Sequence, residues 1–419
     1  MFADILSSVF ERRQWIWDRG ARSGADPAEL AGALLGNRGE ASGMALARDL
    51  LQTYAEGDAN ARRAFFDLLA QDLDIDGDAA RAALDGYVAR RDRDSYAAYV
   101  AATEPKRQEL IRRLNQVPGG TARLVAMRAD LLGMLRTAPE LAPVDLDFQH
   151  LFASWFNRGF LVLRPINWET PAHLLDKIIA YEAVHAIGNW DELRARLKPA
   201  DRRCFAFFHP AMPDEPLIFV EVALTRGIAG SVDDLLSGDR AALAADEADT
   251  AVFYSISNCQ PGLRGVSFGH SLIKQVVEDL SRALPGLKTF VTLSPVPGLA
   301  AWAQEEGVTL DPDAADALRQ TTARYLLDAK ATGGGPRDPV ARFHLGNGAM
   351  LHAVHARADL SEKGRAQSGG AMVNYLYDLR RLAENHDRFA KDGTIAASTE
   401  VRALARTAAR KIDSRKTDA

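Results

Sequence analysis

Between Pro27 and Pro105 the chain contains no proline, and from Leu30 to about Leu135 it is rich in alanine, leucine and arginine. Every residue of such a run can give its amide to a helix, and the apolar side chains recur at helical spacing. Phe65, Leu68, Leu69 and Leu73 make one stripe; Leu124, Met127, Leu131 and Met134 make another further on. Stripes of this kind are buried by packing helices on one another, so the first part is expected to be an antiparallel helical bundle. Gly57-Asp58 reads as one helix ending and the next being capped, and Pro118-Gly119-Gly120 breaks a later pair. Around Pro139 to Pro143 the character changes. Aromatic residues become dense (Phe148, Phe152, Trp155, Phe156, Phe160) and short strand-like runs follow. The expected domains are therefore residues 1–145, helical, and residues 146–419, built on a sheet.

In the second part Cys204–Phe208, Leu217–Leu224, Val252–Ser257, Thr289–Leu293 and Met350–His355 read as strands, each an apolar run bounded by turn residues. One helix is clear between two of them, with Leu272, Ile273, Val276, Val277 and Leu280 inside and Lys274, Gln275, Glu278 and Asp279 outside. Strand, strand, glycine-bearing loop, helix, strand is the order of a mixed α/β domain. Ala172–Val184 and Asp313–Lys330 add flanking helices, and the basic, alanine-rich tail from Thr399 adds a last one.

Composition narrows the function classes. With 419 residues, 47% hydrophobic and 26% charged, the chain is neither collagen-like, solenoidal nor disordered. The net charge of -5, with arginines scattered among acids, argues against a nucleic-acid partner. No run approaches the ~18 apolar residues of a membrane span, and Met1 to Arg13 carries Asp4 and Glu11, so a soluble cytoplasmic protein with no membrane partner is expected. Cys204 and Cys259 are too few for a disulfide framework or a four-cysteine zinc site and are read as packing residues.

Several motifs have plain readings. Asp72, Asp74, Asp76 and Gly77 open like a calcium loop, but the twelfth place holds Ala83 instead of a bidentate Glu, which leaves a turn between helices. His352 and His355, considered with His344 as zinc ligands, are assigned to a strand whose alternation sends neighbours to opposite faces. No metal is expected. Glu182 and His185, one helical turn apart, read as a local polar pair. The segment Gln260-Pro-Gly-Leu-Arg-Gly-Val-Ser-Phe-Gly-His270 differs from these. It follows a strand and opens the amphipathic helix, so its amides from Arg264 to His270 are expected to point outward, as a cradle for a diphosphate or, on the plain reading, as no more than a tight connection. Gly265 and Gly269 allow close approach, and Arg264 adds a charge-assisted contact. Thr292-Leu-Ser294-Pro-Val-Pro297-Gly298 closes the next strand, and Pro295, having no N–H, must make it splay, with the Ser294 hydroxyl at the lip. His344 lies in Asp338-Pro-Val-Ala-Arg-Phe-His344-Leu-Gly-Asn-Gly-Ala349, between a strand-like entry and a Gly-Asn-Gly turn.

The run from Arg264 to Lys274 resembles the acetyl-CoA-binding loop and helix of the GNAT acetyltransferase superfamily, with Ser267 in place of its middle glycine. A wider resemblance is to the malonyl-CoA decarboxylase family. It is carried by Ser154-Trp-Phe156, Glu182-Ala-Val-His185, Arg202-Arg-Cys-Phe205, Val222-Ala-Leu-Thr225 and Phe253-Tyr-Ser-Ile-Ser257, then by Gln260 to Gly269, Leu293 to Gly298, Pro339 to Ala349 and Asn374-Tyr-Leu-Tyr377. The resemblance implies a helical bundle that mediates assembly into a homodimer or homotetramer, followed by a GNAT-like mixed α/β catalytic domain. It implies that Ser294 and His344 are the catalytic pair, with Tyr377 in the same region, and that Arg264, Gly265, Val266, Ser267, Phe268, Gly269 and His270 hold the CoA of malonyl-CoA. Ser267 stands where some members carry a glutamate.

The implied reaction converts malonyl-CoA to acetyl-CoA and carbon dioxide. The thioester carbonyl itself receives the electrons, so no metal or organic cofactor is expected. His344 is read as a proton donor because imidazole titrates near neutral pH and can return to its charged form, and Ser294 as its partner or as the orienter of the carboxylate. A CoA-dependent acyltransferase and a silent CoA-binding scaffold remain open as alternatives.

Overall fold

A computed structural model of the chain describes residues 26–36, 39–266 and 272–417. Contacts between Cα atoms divide it into two units. The first runs to Phe160 and takes in His209–Pro213 and Gln260–Ser267; the second comprises Leu161–Phe208, Asp214–Cys259 and Phe268–Ala419.

The first unit is helical. Its helices are α1 (Pro27–Gly36), α2 (Glu40–Glu56), α3 (Ala59–Gln71), α4 (Gly77–Arg90), α5 (Arg93–Thr103), α6 (Lys106–Asn115), α7 (Gly120–Met134) and α8 (Ala142–Trp155). Aspartates start three of them. Asp58 accepts from the Ala61 amide, Asp76 from Asp78 and Ala79, and Asp92 forms a capping box with Ser95. The predicted stripes are inside: Phe65, Leu69, Leu73, Leu124, Met127 and Leu131 are buried, with Leu68 and Met134 half-buried. Asp74 and Asp76 are occupied by the turn itself, Asp74 pairing with Arg107 and Asp76 capping α4.

The second unit carries a mixed sheet of β1 (Val162–Ile166), β2 (Arg202–His209), β3 (Met212–Thr225), β4 (Thr250–Asn258), β5 (Thr289–Thr292), β6 (Ser294–Pro295), β7 (Met350–His355) and β8 (Met372–Leu376). The order is β1-β2-β3-β4-β5-β8-β6, with β7 also on β8. β4 and β5 are parallel, from Thr250↔Thr289 to Phe253↔Thr292. A parallel pair needs a crossover, and helix α9 (Leu272–Ala283) lies within it, burying the five predicted residues Leu272, Ile273, Val276, Val277 and Leu280. The sequence reading missed β1, β6 and β8. β1 contains Pro165 and survives because it is an edge strand. β8, only five residues long, is the strand on which β5, β6 and β7 all meet.

The β3/β4 ladder slips at one place. Glu221 faces Ser255 while Val222 faces Phe253, so Tyr254 is the extra residue of a bulge. Phe253 remains in the large core with Val276 and Val277, whereas Tyr254 joins the core on Val291 and Leu293.

Leu280→Ala should lower unfolding free energy by about 2–5 kcal/mol, the range for deleting a buried leucine side chain. Lys274→Ala on the exposed face should change it by less than about 0.5 kcal/mol. Urea midpoints of the two variants check the assignment of faces; equal losses would overturn it.

Candidate active site

The β4/β5 pairing ends abruptly. The Leu293 amide makes a 2.9 Å hydrogen bond to the Phe253 carbonyl, and β4 then continues to Asn258 while β5 stops at Thr292. Pro295 has no amide to extend the ladder, so the chain turns across to β8, pairing Ser294 with Val373 and Pro295 with Met372. Ser294 is thereby buried, and its hydroxyl donates to Thr292 Oγ1 at 2.8 Å. The Tyr375 amide also reaches Thr292 Oγ1, at 3.2 Å.

His344 arrives on a helix rather than in the expected strand-to-turn connection. Helix α10 (Pro339–Gly346) begins with proline at its first position, and the Asp338 carboxylate caps the amides of Val340 and Ala341 at 2.9 and 3.0 Å. His344, in the last turn, places Nε2 3.2 Å from Ser294 Oγ and Nδ1 2.8 Å from the Tyr377 hydroxyl. Its ring stacks on Tyr375 with centroids 4.5 Å apart. Thus Ser294, His344 and Tyr377 are gathered at one point of the second unit.

The hydroxyl proton of Ser294 lies on Thr292, so His344 Nε2 is the donor to Ser294 and Nδ1 accepts from Tyr377. The donors form a line, Tyr377 to His344 to Ser294, with Thr292 Oγ1 as the final acceptor. Burial pushes the His344 imidazole down to about 3 and the Tyr377 and Tyr375 hydroxyls well above their ordinary value. The charged imidazole expected from the sequence is corrected by this: at neutral pH His344 is uncharged, and any proton it gives comes from its neutral Nε2–H.

The glycine-bearing loop also departs from expectation. Pro261–Leu263 forms a 3₁₀ turn, in which the Leu263 amide bonds to the Gln260 carbonyl at 3.0 Å and the Arg264 amide to Pro261 at 3.1 Å. The Val266 amide bonds to Leu263 at 3.0 Å. The amides of Arg264 and Val266 are therefore spent within the loop and do not point outward as expected. Gly265, at a φ of +82°, has an amide with no acceptor among the described residues. Arg264 is exposed, Val266 buried, and Ser267, Phe268, Gly269 and His270 lie outside the described residues.

Sequence reasoning missed Thr292 and Tyr375. Strand alternation was the signal for both, since each lies two residues from a residue already singled out. It also underrated Glu182, whose carboxylate accepts from Ser255 at 2.8 Å and Ser257 at 3.2 Å, and from the amides of Val184 and His185 at 2.8 and 2.7 Å. Beside it Glu221 is fully buried against Arg196, at 3.0 Å, and burial pushes its carboxyl up to about 7. Among the described residues no group of three or more His, Cys, Asp or Glu side chains is placed to hold a metal, and no helix is long and apolar enough to cross a membrane.

Comparison with known proteins identifies the family. Residues 159–313 and 305–415 match the family model described as malonyl-CoA decarboxylase C-terminal domain, and residues 74–156 match that of the N-terminal domain. The mitochondrial malonyl-CoA decarboxylase of Anser anser anser is 33% identical over 348 residues, covering 71% of this chain and 69% of that protein. Crystal structures of malonyl-CoA decarboxylase from Rhodopseudomonas palustris and Agrobacterium vitis each superpose with a TM-score of 0.85 at 49% identity, covering 91% of this chain and 99% of theirs. A helical region followed by this mixed sheet is thus the frame of a carboxy-lyase. The chain belongs to the malonyl-CoA decarboxylase family.

The neutrality of His344 has a measurable sign. Above about pH 6.5 folded and unfolded chains both carry a neutral imidazole; between there and about 3 only the unfolded chain takes the proton, so acidification destabilises the fold. This residue contributes up to about 1.4 kcal/mol per pH unit in that window. His344→Asn should therefore show a shallower fall of the urea midpoint between about pH 6 and 4 than the parent chain. Parallel declines would overturn the depressed value.

Proposed function

We propose that this chain converts malonyl-CoA to acetyl-CoA and carbon dioxide through Ser294, His344 and Tyr377, without metal or organic cofactor. When the bond to the carboxylate breaks, its electron pair passes into the thioester as an enolate, and C2 must then gain one proton. The observation that carries the assignment is the line of buried neutral donors ending at Ser294. Ser294 turns its hydroxyl from Thr292 to C2 and gives its proton there; His344 Nε2 returns a proton to Ser294 Oγ while Nδ1 takes one from Tyr377. Tyr377 is refilled from water, and the imidazole, left with its proton on Nδ1, regains the Nε2–H tautomer by exchange with solvent, so each turnover consumes one solvent proton and returns the line to its starting state. Neutral groups suit the task because a fixed positive charge would stabilise the ground-state carboxylate as well as the enolate, lowering the differential effect.

For the CoA diphosphate we assign the loop of Arg264, Gly265, Ser267, Phe268, Gly269 and His270, with Val266, buried and its amide spent on Leu263, shaping the loop only. Support comes from the positive φ of Gly265, the amide it leaves without an acceptor among the described residues, and the exposed Arg264. The two free cysteines, Cys204 and Cys259, both buried, support a cytoplasmic location.

Purified protein given malonyl-CoA alone in heavy water should yield acetyl-CoA carrying one deuterium on its methyl group, read by mass spectrometry. Acyl transfer that requires an added amine, or unchanged malonyl-CoA, would defeat the proposal. His344→Asn should cut turnover by roughly 10²- to 10⁴-fold, the usual worth of a positioned acid, with CoA affinity nearly intact.

Assembly into a homodimer or homotetramer is assigned to the helical region, on the hairpin of α4 and α5. Tyr87 meets Tyr96 and Tyr99 between the two helices, yet Leu84, Val88, Tyr96 and Val100 are 43%, 58%, 56% and 46% exposed. That is an apolar face wanting a partner. The double variant Leu84→Glu/Val88→Glu should reduce the mass measured by light scattering to that of one chain; an unchanged mass would exclude this face.

A further inference from the structure

Arg128 lies in the middle of α7 and is 1% exposed, the most enclosed cation described in the first unit. Its Nε donates to Asp145 Oδ1 at 2.8 Å, and the other Asp145 oxygen accepts from Gln149 Nε2 at 2.5 Å. The charge is thus neutralised by α8. What remains of the guanidinium serves the glycine-bearing loop: Nη1 donates to the Gly262 carbonyl at 2.7 Å and to the Arg264 carbonyl at 2.9 Å. The loop is also pressed against α7 at Gly262, where a Cβ would come within 1.8 Å of the Val125 carbonyl oxygen.

In a trans peptide the carbonyl and the following amide point in opposite directions. By holding the Arg264 carbonyl, Arg128 turns the Gly265 amide away from the helical interior. That amide is the one in 264–266 that the loop does not spend on itself. The positive φ of Gly265 permits the turn that follows. We infer that Arg128 is a positioning residue for CoA binding: through the Gly262 and Arg264 carbonyls it fixes the peptide plane whose N–H faces the diphosphate. The inference rests on the assignment of this loop to the diphosphate. It also gives α7 and α8 a part in substrate affinity that a purely assembly-forming region would not have.

The test compares malonyl-CoA with malonyl-pantetheine, which lacks the diphosphate. Arg128→Met should raise KM for malonyl-CoA by about 10- to 100-fold, the usual effect of removing an outer partner that orients a binding group, with the loss confined to KM and absent for malonyl-pantetheine. Arg128→Lys, which keeps a cation beside Asp145 but loses the separate nitrogens that let one guanidinium hold Asp145 through Nε and both carbonyls through Nη1, should give a smaller loss of the same kind and guards against misfolding of the first variant. Gly265→Val is the reference for the loop itself. If Gly265→Val is selective for malonyl-CoA and the Arg128 variants are not, the clamp is wrong while the loop assignment stands. If none of the variants is selective, the loop assignment fails and takes the clamp with it. Equal losses on both substrates, or a fall in kcat alone, would make Arg128 a structural residue only.

Discussion

The last hydrogen bond between two parallel strands decides the rest of this enzyme. Once the Leu293 amide has met the Phe253 carbonyl, Pro295 can add nothing, and the chain that follows must find another neighbour. It finds β8. That short strand receives β5, β6 and β7, and its Tyr375, with Tyr377 just past its end, encloses the imidazole. Ser294 is placed by β6, Tyr377 by the end of β8, and Thr292 by the end of β5, so three of the four hydroxyl and imidazole groups are fixed by three neighbouring strands.

Electrostatics complete the picture. In the second unit Arg196 and Glu221 are buried as a pair, while His344, for which a part in proton transfer is proposed, is neutral, held so by the cost of burying an ion. The bulge at Tyr254 lies between these regimes. On one side of it Phe253 belongs to the apolar core; on the other Ser255 and Ser257 turn to Glu182. One extra residue in a strand thus separates an oily surface from a polar one.

Much of this was legible in the sequence where a local rule governs. The amphipathic helix Leu272–Ala283 was read with its inner face correct because periodicity alone fixes it, and the splay at Pro295 because an imino acid cannot donate. β8 was missed because Met372–Leu376 is short and polar at its centre, where Asn374 gives its side-chain amide to the Thr292 and Ala229 carbonyls, a contact no neighbouring residue announces. The charged state of His344 was misjudged for a similar reason. Burial is a property of the assembled core, and no residue beside the histidine announces it. The spent amides of Arg264 and Val266 belong to the same class, since nothing in a glycine-rich string tells whether its amides face a ligand or each other.

Asp338 shows what this construction demands of its parts. One carboxylate oxygen caps the helix that carries His344; the other accepts from the Gly298 amide at 3.3 Å and from the Tyr325 hydroxyl at 3.4 Å. Gly298 closes the turn after Ser294, and a Cβ there would stand 2.1 Å from the Tyr325 oxygen. The spacing of serine and histidine, fifty residues apart in the chain, is therefore gauged by a single acid acting as a strut between a turn and a helix end. A methyl group at position 298 would press on that strut through Tyr325 without touching Ser294 or His344, so a residue outside the proposed chemistry limits what the site can tolerate.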